Sequence, residues 1–412
     1  MSRANEKITI VGAGPAGAFA SMYLSRYKIP HTLIDKNTFP RDKICGDAIS
    51  GKVVNLLAYY DPSLIDRLQH KNDAFQTNGI YFCSPSGKRI TLPFPPASGN
   101  YPPGFVCPRK SFDQFLVEQL DQQYCNFLPE SKITKIEQGT SSQHCIHLEN
   151  DSQSLSLAPE LIIAADGAQS IVKRALFSEK KSRNASAGLR LYAKGVKPEE
   201  HPSYIELHFL KRSLPGYFWI FPLNDGWYNI GMGMHSSQIK KKKINLKNLF
   251  REIITSDEHV THRFTGIEEQ NGIQGWSLPM EGNFRRLAGD GVLLTGDAGG
   301  LIDPFTGEGI APAMLSGKHA ALQAISALEN NRFDKKFLRR YEKTMAKKLA
   351  NEMKISYRLQ QMTFYPRILR FIMDKAANNK SFQNTLYNMF TDINLRHKLT
   401  NPAFYLDLFK KN

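Results

Sequence analysis

The glycine turn Gly12-Ala13-Gly14-Pro15-Ala16-Gly17 follows the β-rich apolar run Lys7–Val11 and leads into a helical pattern through Phe19, Tyr23 and Leu24. Each residue type has a physical reason. Gly12 permits the tight turn, Gly14 lets a pyrophosphate approach the backbone, and Gly17 lets helix and strand pack closely. Free N–H groups and the positive dipole end at the helix start suit phosphates. Pro15 falls where a missing N–H costs nothing. A second strand, His31–Ile34, ends in Asp35, 18 residues after Gly17, where a carboxylate accepts ribose hydroxyls. The acid disfavours a 2′-phosphate, and so NADP, at this site. Ala16, Lys36 and Arg41 join the candidate contacts of the bound dinucleotide.

A second signal selects among dinucleotides. Gly291–Ala298 reads as a buried strand ending in Gly296-Asp297, followed by a loop with Pro304, Gly307 and Gly309 and a long helix from near Ile310. NAD has no ribityl chain; FAD has one, and Asp297 suits its hydroxyls. Gly307 and Gly309 put bare N–H groups at a helix start, where they stabilise negative charge on reduced flavin. The expected cofactor is therefore FAD. This strand-G-D-A-G pattern resembles the second flavin motif of glutathione-reductase-type flavoproteins, which include aromatic hydroxylases. Asp166-Gly167, after the strand Leu161–Ala165, resembles the short D-G motif of that class. The resemblance implies that Arg109, in Cys107-Pro108-Arg109-Lys110-Ser111-Phe112-Asp113-Gln114, supports the cofactor. Ser111 and Gln114 read as a capping box for the helix that follows.

Three separated segments converging on one ligand imply an α/β chain: a discontinuous Rossmann-like FAD-binding domain, an inserted α+β substrate domain with an antiparallel sheet, and a helical C-terminal region. The expected boundaries are 1–75, 101–175 and 283–334 for the FAD domain. Residues 76–100 and 176–282 are expected to form the substrate domain, and 335–412 the basic helical end.

Two further segments narrow the chemistry. Lys43-Ile44-Cys45-Gly46 lies shortly after Asp35, and Pro215-Gly216-Tyr217-Phe218-Trp219-Ile220-Phe221-Pro222 precedes a strand with Tyr228, Ile230, Gly231 and Gly233. Together, K-x-C-G and Y-x-W-x-F-P resemble the geranylgeranyl reductase family, with the family's P-x-x-Y shortened here to P-x-Y. The resemblance covers roughly residues 7–330. It implies hydride transfer from flavin N5 to a C=C bond of an isoprenoid or similarly apolar substrate. Cys45 and Gly46 then lie by the flavin, with Cys45, Tyr217 and Trp219 as catalytic candidates. Tyr217, Trp219 and Phe221, two residues apart, share one face of a strand and line the substrate channel. Two other readings stand beside this one: a monooxygenase or halogenase-like enzyme on an apolar or aromatic substrate, and a membrane-surface flavoprotein that relays electrons.

The chain has 54 Lys+Arg against 38 Asp+Glu, a formal charge of +16. Residues 335–412 hold 17 of the cations and 5 of the anions. Leu338, Tyr341, Met345, Leu349 and Met353 recur there at helical spacing. Pro366 begins another helix, and Leu386, Met389 and Phe390 mark a third. Basic helices with Met and aromatic stripes suit an anionic membrane face, or a cap whose apolar side packs on the body. An acidic ferredoxin-like protein is one electron donor compatible with this charge, and NADPH the other, bound without its own nucleotide fold. No nucleic-acid motif accompanies the charge. Five scattered cysteines without a C-x-x-C pair, and no metal-ligand spacing, point to a reducing compartment and no metal. The expected location is the cytoplasm, with peripheral contact to the inner membrane face the expectation that the charge adds.

Overall fold

In the computed structural model, residues 6–97, 99, 101–139, 143–150, 153–177, 185–281, 284–380 and 383 are described. The third C-terminal helix expected around Leu386–Phe390 lies outside them. Strand Ile8–Val11 sits at the centre of a six-stranded sheet. It pairs in parallel with Leu161–Ala164 on one side and His31–Ile34 on the other. Val292–Leu294 and Cys125–Leu128 extend the sheet in parallel, and Ala288–Gly289 closes one edge antiparallel. Buried on both faces, Ile8–Val11 and Leu161–Ala164 are continuous apolar runs with no polar alternation beyond Thr9.

A second sheet of seven strands lies beside the first. Its order is Glu268–Pro279, Ala185–Lys194, Trp227–His235, Gly216–Pro222, Tyr204–His208, Gly79–Cys83 and Arg89–Pro93. All its pairs are antiparallel except Tyr204–His208 with Gly79–Cys83. The Asp225-Gly226 turn between two of these strands has both residues at positive φ (58° and 73°), which suits their types.

The C-terminal helices pack on this body. Helix Lys335–Met362 is capped by Asp334, whose carboxylate accepts the Phe337 N–H at 3.0 Å. Its stripe of Leu338, Tyr341, Met345, Leu349 and Met353 is buried, and the Tyr341 hydroxyl donates to Leu294 O at 2.9 Å. Helix Pro366–Ala377 starts at its proline. Its Asp374 carboxylate accepts the hydroxyls of Ser84 and Ser86, both at 2.6 Å, beside the Gly79–Pro93 hairpin. No helix among the described residues is long and apolar enough to cross a membrane.

Helix Arg109–Val117 corrects one expectation. Pro108 is its N-cap, and the Ser111 hydroxyl donates to Asp73 at 2.5 Å instead of capping. A serine two residues inside the first turn has no free N–H ahead of it to bond. The capping pattern was therefore coincidental.

Helix Ile310–Glu329 crosses the glycine-turn helix Pro15–Arg26 at van der Waals distance. A Cβ on Gly317 would lie 2.1 Å from the Ala16 carbonyl oxygen. In an open helix Gly→Ala stabilises by about 1 kcal/mol. Here the sign reverses: Gly317→Ala is expected to cost about 1–3 kcal/mol in urea unfolding. An unchanged or raised midpoint would show that the two helices part easily.

Candidate flavin site and substrate cavity

The glycine turn is fixed by contacts that only glycine allows. A Cβ on Gly17 would lie 1.8 Å from Gly12 O, and one on Gly12 (φ 98°) would lie 2.5 Å from Ala165 O and 3.0 Å from Asp166 Cα. The turns at 12–17 and 165–167 are therefore sewn together. A Cβ on Gly296 would meet Ala16 and Ala313, so the third segment arrives at the same place. Helices Pro15–Arg26 and Ile310–Glu329 both start with no side-chain cap and no acid in the first turn. Two helix starts thus offer their N–H groups to an anionic or polar ligand; the Gly307 N–H, expected to be bare, is instead spent on Asp303 O at 3.0 Å because the 303–307 loop closes on itself.

Asp35 accepts the Ala13 N–H at 2.8 Å and the Asn37 N–H at 3.0 Å, which aims the carboxylate and leaves further lone pairs. Lys36 beside it is exposed. Asp166 holds the start of helix Ile171–Leu176 through Oδ2, at 2.7 and 3.2 Å from the N–H groups of Ile171 and Val172. Its Oδ1 is buried without a partner. Arg41 comes toward Gly14, whose Cβ would lie 3.4 Å from its Nη2, and donates to Asp113 at 2.8 Å. These features fit FAD: a bare backbone cradle, an aimed carboxylate for ribose, and an orphaned buried acceptor between them.

From the second helix start a cavity of about 510 Å³ runs along one face of the seven-stranded sheet to the two C-terminal helices described above. It brings together Pro15, Cys45, Gly46, Arg109, Tyr217, Trp219, Phe221, Asp297, Pro304, Gly307, Gly309 and Ile310. Gly12, Gly14, Ala16, Gly17, Asp35, Lys36, Arg41, Asp166, Gly167 and Gly296 lie outside its lining, around the glycine turn. Asp297 carries an ion pair with Lys43 at 2.9 Å. The far wall is apolar: Ile80, Ile90 and Leu92 of one hairpin face Leu369, Ile372 and Met373 of the last described helix.

The K-x-C-G loop and the aromatic strand are in direct contact. A Cβ on Gly46 would lie 3.1 Å from the Phe221 ring. Trp219 lies over Gly231, where a Cβ would be 2.1 Å from its indole. Tyr217, Trp219 and Phe221 stand in line with ring centroids 6.1 Å apart at each step. The Tyr217 hydroxyl donates to Thr306 O, tying the strand to the 303–309 loop.

Beneath Cys45 runs a polar network that sequence reasoning missed. The Trp219 indole donates to Asn229 at 2.8 Å, and the Asn229 amide donates to Cys45 O at 2.8 Å and Asp47 Oδ2 at 2.7 Å. Asp47 Oδ2 also accepts the Tyr192 hydroxyl at 2.6 Å. Tyr192 and Asn229 are direct cross-strand partners, a register no sequence pattern reveals. Next to this network Arg109 grips Asp113 with two bonds, 2.6 and 2.7 Å. Burial acts to raise the Asp113 carboxyl, but the Arg109 guanidinium holds it below the usual carboxylate range. Arg109 thus supports the cavity wall as part of a buried pair with a residue left out of the expected set.

Burial pushes the Asp47 carboxyl up to about 6, partly offset by the Tyr192 hydroxyl. Its φ of 63° is a left-handed conformation that Asp and Asn tolerate better than other side chains. Between pH 4 and 6 the fold keeps a proton that the unfolded chain releases, so this group's contribution is full below about 4 and is lost as pH rises through 6. Between pH 4.5 and 7 the wild type should lose roughly 2 kcal/mol relative to Asp47→Asn in urea unfolding. Parallel stability profiles would mean that Asp47 is ionised throughout.

Known proteins share this family and fold. The family described as "FAD binding domain" matches residues 5–353. The chain is 25% identical to a digeranylgeranylglycerophospholipid reductase of Thermoplasma acidophilum over 84% of each chain. It is 28% identical to a menaquinone reductase of Mycobacterium tuberculosis over 76% of this chain and 75% of that one. A crystal structure of a geranylgeranyl bacteriochlorophyll reductase-like protein from Thermoplasma acidophilum superposes with TM-score 0.78 at 21% identity, covering 91% of this chain and 92% of the other. At that identity the likeness speaks for the fold. With its cradle, its orphaned acceptor and a match over most of its length, the chain belongs to the FAD binding domain family, and FAD is its cofactor.

Proposed function

We propose that this protein is an FAD-dependent reductase that saturates C=C bonds of an isoprenoid or similarly apolar substrate. The observation that carries the reading is one cavity continuous from the second flavin-loop helix start to a wall of aliphatic side chains. The named activities of the similar reductases support it. An unactivated alkene offers no polar handle, so the protein must act by positioning and by excluding water. Bound FAD, once reduced, supplies the hydride.

The chain's own residues divide the remaining work. Tyr217 and Trp219 spend their polar hydrogens on Thr306 and Asn229, which makes them a rigid wall that orients the chain. Cys45 lines the same cavity, and burial pushes its thiol up, so Sγ keeps its proton. We assign Cys45 as the proton donor to the second alkene carbon. Residues 76–100 and 176–282 act in this reading as one substrate domain. NADPH or an acidic ferredoxin-like protein supplies electrons, the latter matched to the basic surface. The basic C-terminal helices serve as a cap whose outer side contacts an anionic membrane.

Cys45→Ala should keep its flavin absorbance and slow prenyl-dependent reoxidation of the reduced protein by about 10²–10⁴-fold. Turnover equal to wild type would remove Cys45 from the mechanism. Oxygen consumption with a hydroxylated product would replace the reductase reading by an oxygenase one.

A further inference from the structure

Helix Gly51–Tyr60 begins with two choices that weaken it locally. Ser50 stands at its N-cap, where a serine hydroxyl ordinarily accepts an N–H of the first turn, yet it makes no such bond. Lys52 lies in that first turn, so a cation sits at the positive end of the helix, with no acid beside it there. Both side chains reach instead for one carboxylate, that of Glu308, 258 residues after Ser50. The Ser50 hydroxyl donates to Glu308 Oε1, and the Lys52 ammonium lies 3.7 Å from Oε2. Glu352 of helix Lys335–Met362 pairs with the same ammonium. Departures from local preference gather where a function requires them.

Glu308 lies between Gly307 and Gly309, directly ahead of the Gly309 N-cap of helix Ile310–Glu329, a helix start without a side-chain cap. A carboxylate next to such a start is drawn to its bare N–H groups and positive dipole end. The loop backbone is held by other bonds. Asp303 Oδ1 accepts the N–H groups of Phe305 and Thr306 at 3.0 and 2.8 Å, and the Thr306 hydroxyl accepts the Glu308 N–H at 3.2 Å. None of these uses the Glu308 side chain, which is left to Ser50 and Lys52. A second carboxylate stands near this start: Asp297 Oδ1 would lie 3.4 Å from a Cβ on Gly309. It too has a cation of its own, Lys43 at 2.9 Å.

We infer that Ser50 and Lys52 are positioning residues for the flavin: together they hold the Glu308 carboxylate off the start of helix Ile310–Glu329, so that its N–H groups stay open to the cofactor. Released, Glu308 would cap that start and set a negative charge against the charge that flavin gains on reduction. The clasp therefore favours bound FAD, and its reduced form most. Acting on the cofactor alone, it serves whichever substrate the enzyme takes.

The test titrates the full-length apoprotein with FAD and measures the midpoint potential of the bound flavin against a reference dye. Ser50→Ala/Lys52→Met should bind oxidised FAD about three- to tenfold more weakly than wild type. Its potential should fall by about 30 mV, a further tenfold loss for the two-electron reduced form. Adding Glu308→Gln to that pair should restore both values, because the neutral amide brings no charge to the helix start. Lys52→Arg, which keeps the cation, should bind FAD as wild type does. Losses that persist in the triple variant would make Ser50 and Lys52 merely structural and overturn the clasp. Unchanged affinity and potential in Ser50→Ala/Lys52→Met would overturn it equally.

Discussion

Everything at the flavin site depends on backbone meeting backbone without intervening side chains. Gly12, Gly17 and Gly317 sit where any Cβ would fall within 2.5 Å of a carbonyl oxygen. That closeness draws the glycine-turn helix, the 165–167 turn and the Ile310–Glu329 helix onto one spot. Dispersion acts over a few tenths of an ångström, so small losses of contact there forfeit much of the packing energy. The same closeness leaves the N–H groups of two helix starts uncovered for a ligand.

The second sheet works by a different rule. Its aromatic wall is held by polar groups rather than by packing alone. Asn229 links the Trp219 indole, the Cys45 carbonyl and the Asp47 carboxylate, so the thiol loop and the wall keep a fixed relation. Such a fully bonded buried network is rigid because each member loses a partner if any one moves. Rigidity suits a substrate whose recognition is mostly shape.

Much of this was legible in the residues. The order strand, glycine turn, helix, second strand and Asp35 declares the dinucleotide unit, and the strand ending in Gly296-Asp297 with the helix from Ile310 points to its second segment, which the structure brings to Ala16. The helical stripe from Leu338 to Met353 reads directly, because 3.6-residue periodicity survives in sequence. What did not read were relations set by strand register and by distant pairing. Tyr192 opposite Asn229 and Gln360 against Pro304 join residues whose spacing carries no period, whereas Arg109 and Asp113 stand four apart on one helix, a spacing that was open to reading. The Ser111–Gln114 pattern misled because a three-residue spacing is common by chance, and Pro108 had already taken the capping position.

The ion pair between Lys43 and Asp297 joins positions 254 residues apart, and the central strand Ile8–Val11 waits for Leu161–Ala164 as its neighbour. Contacts so remote in sequence are slow to form, since the loop between them must first be closed. During synthesis on the ribosome, the glycine turn and Asp35 emerge long before Asp297 and the helix that follows it. Until that helix appears the nascent chain lacks the element that completes its nucleotide cradle, so capture of the ligand waits for it.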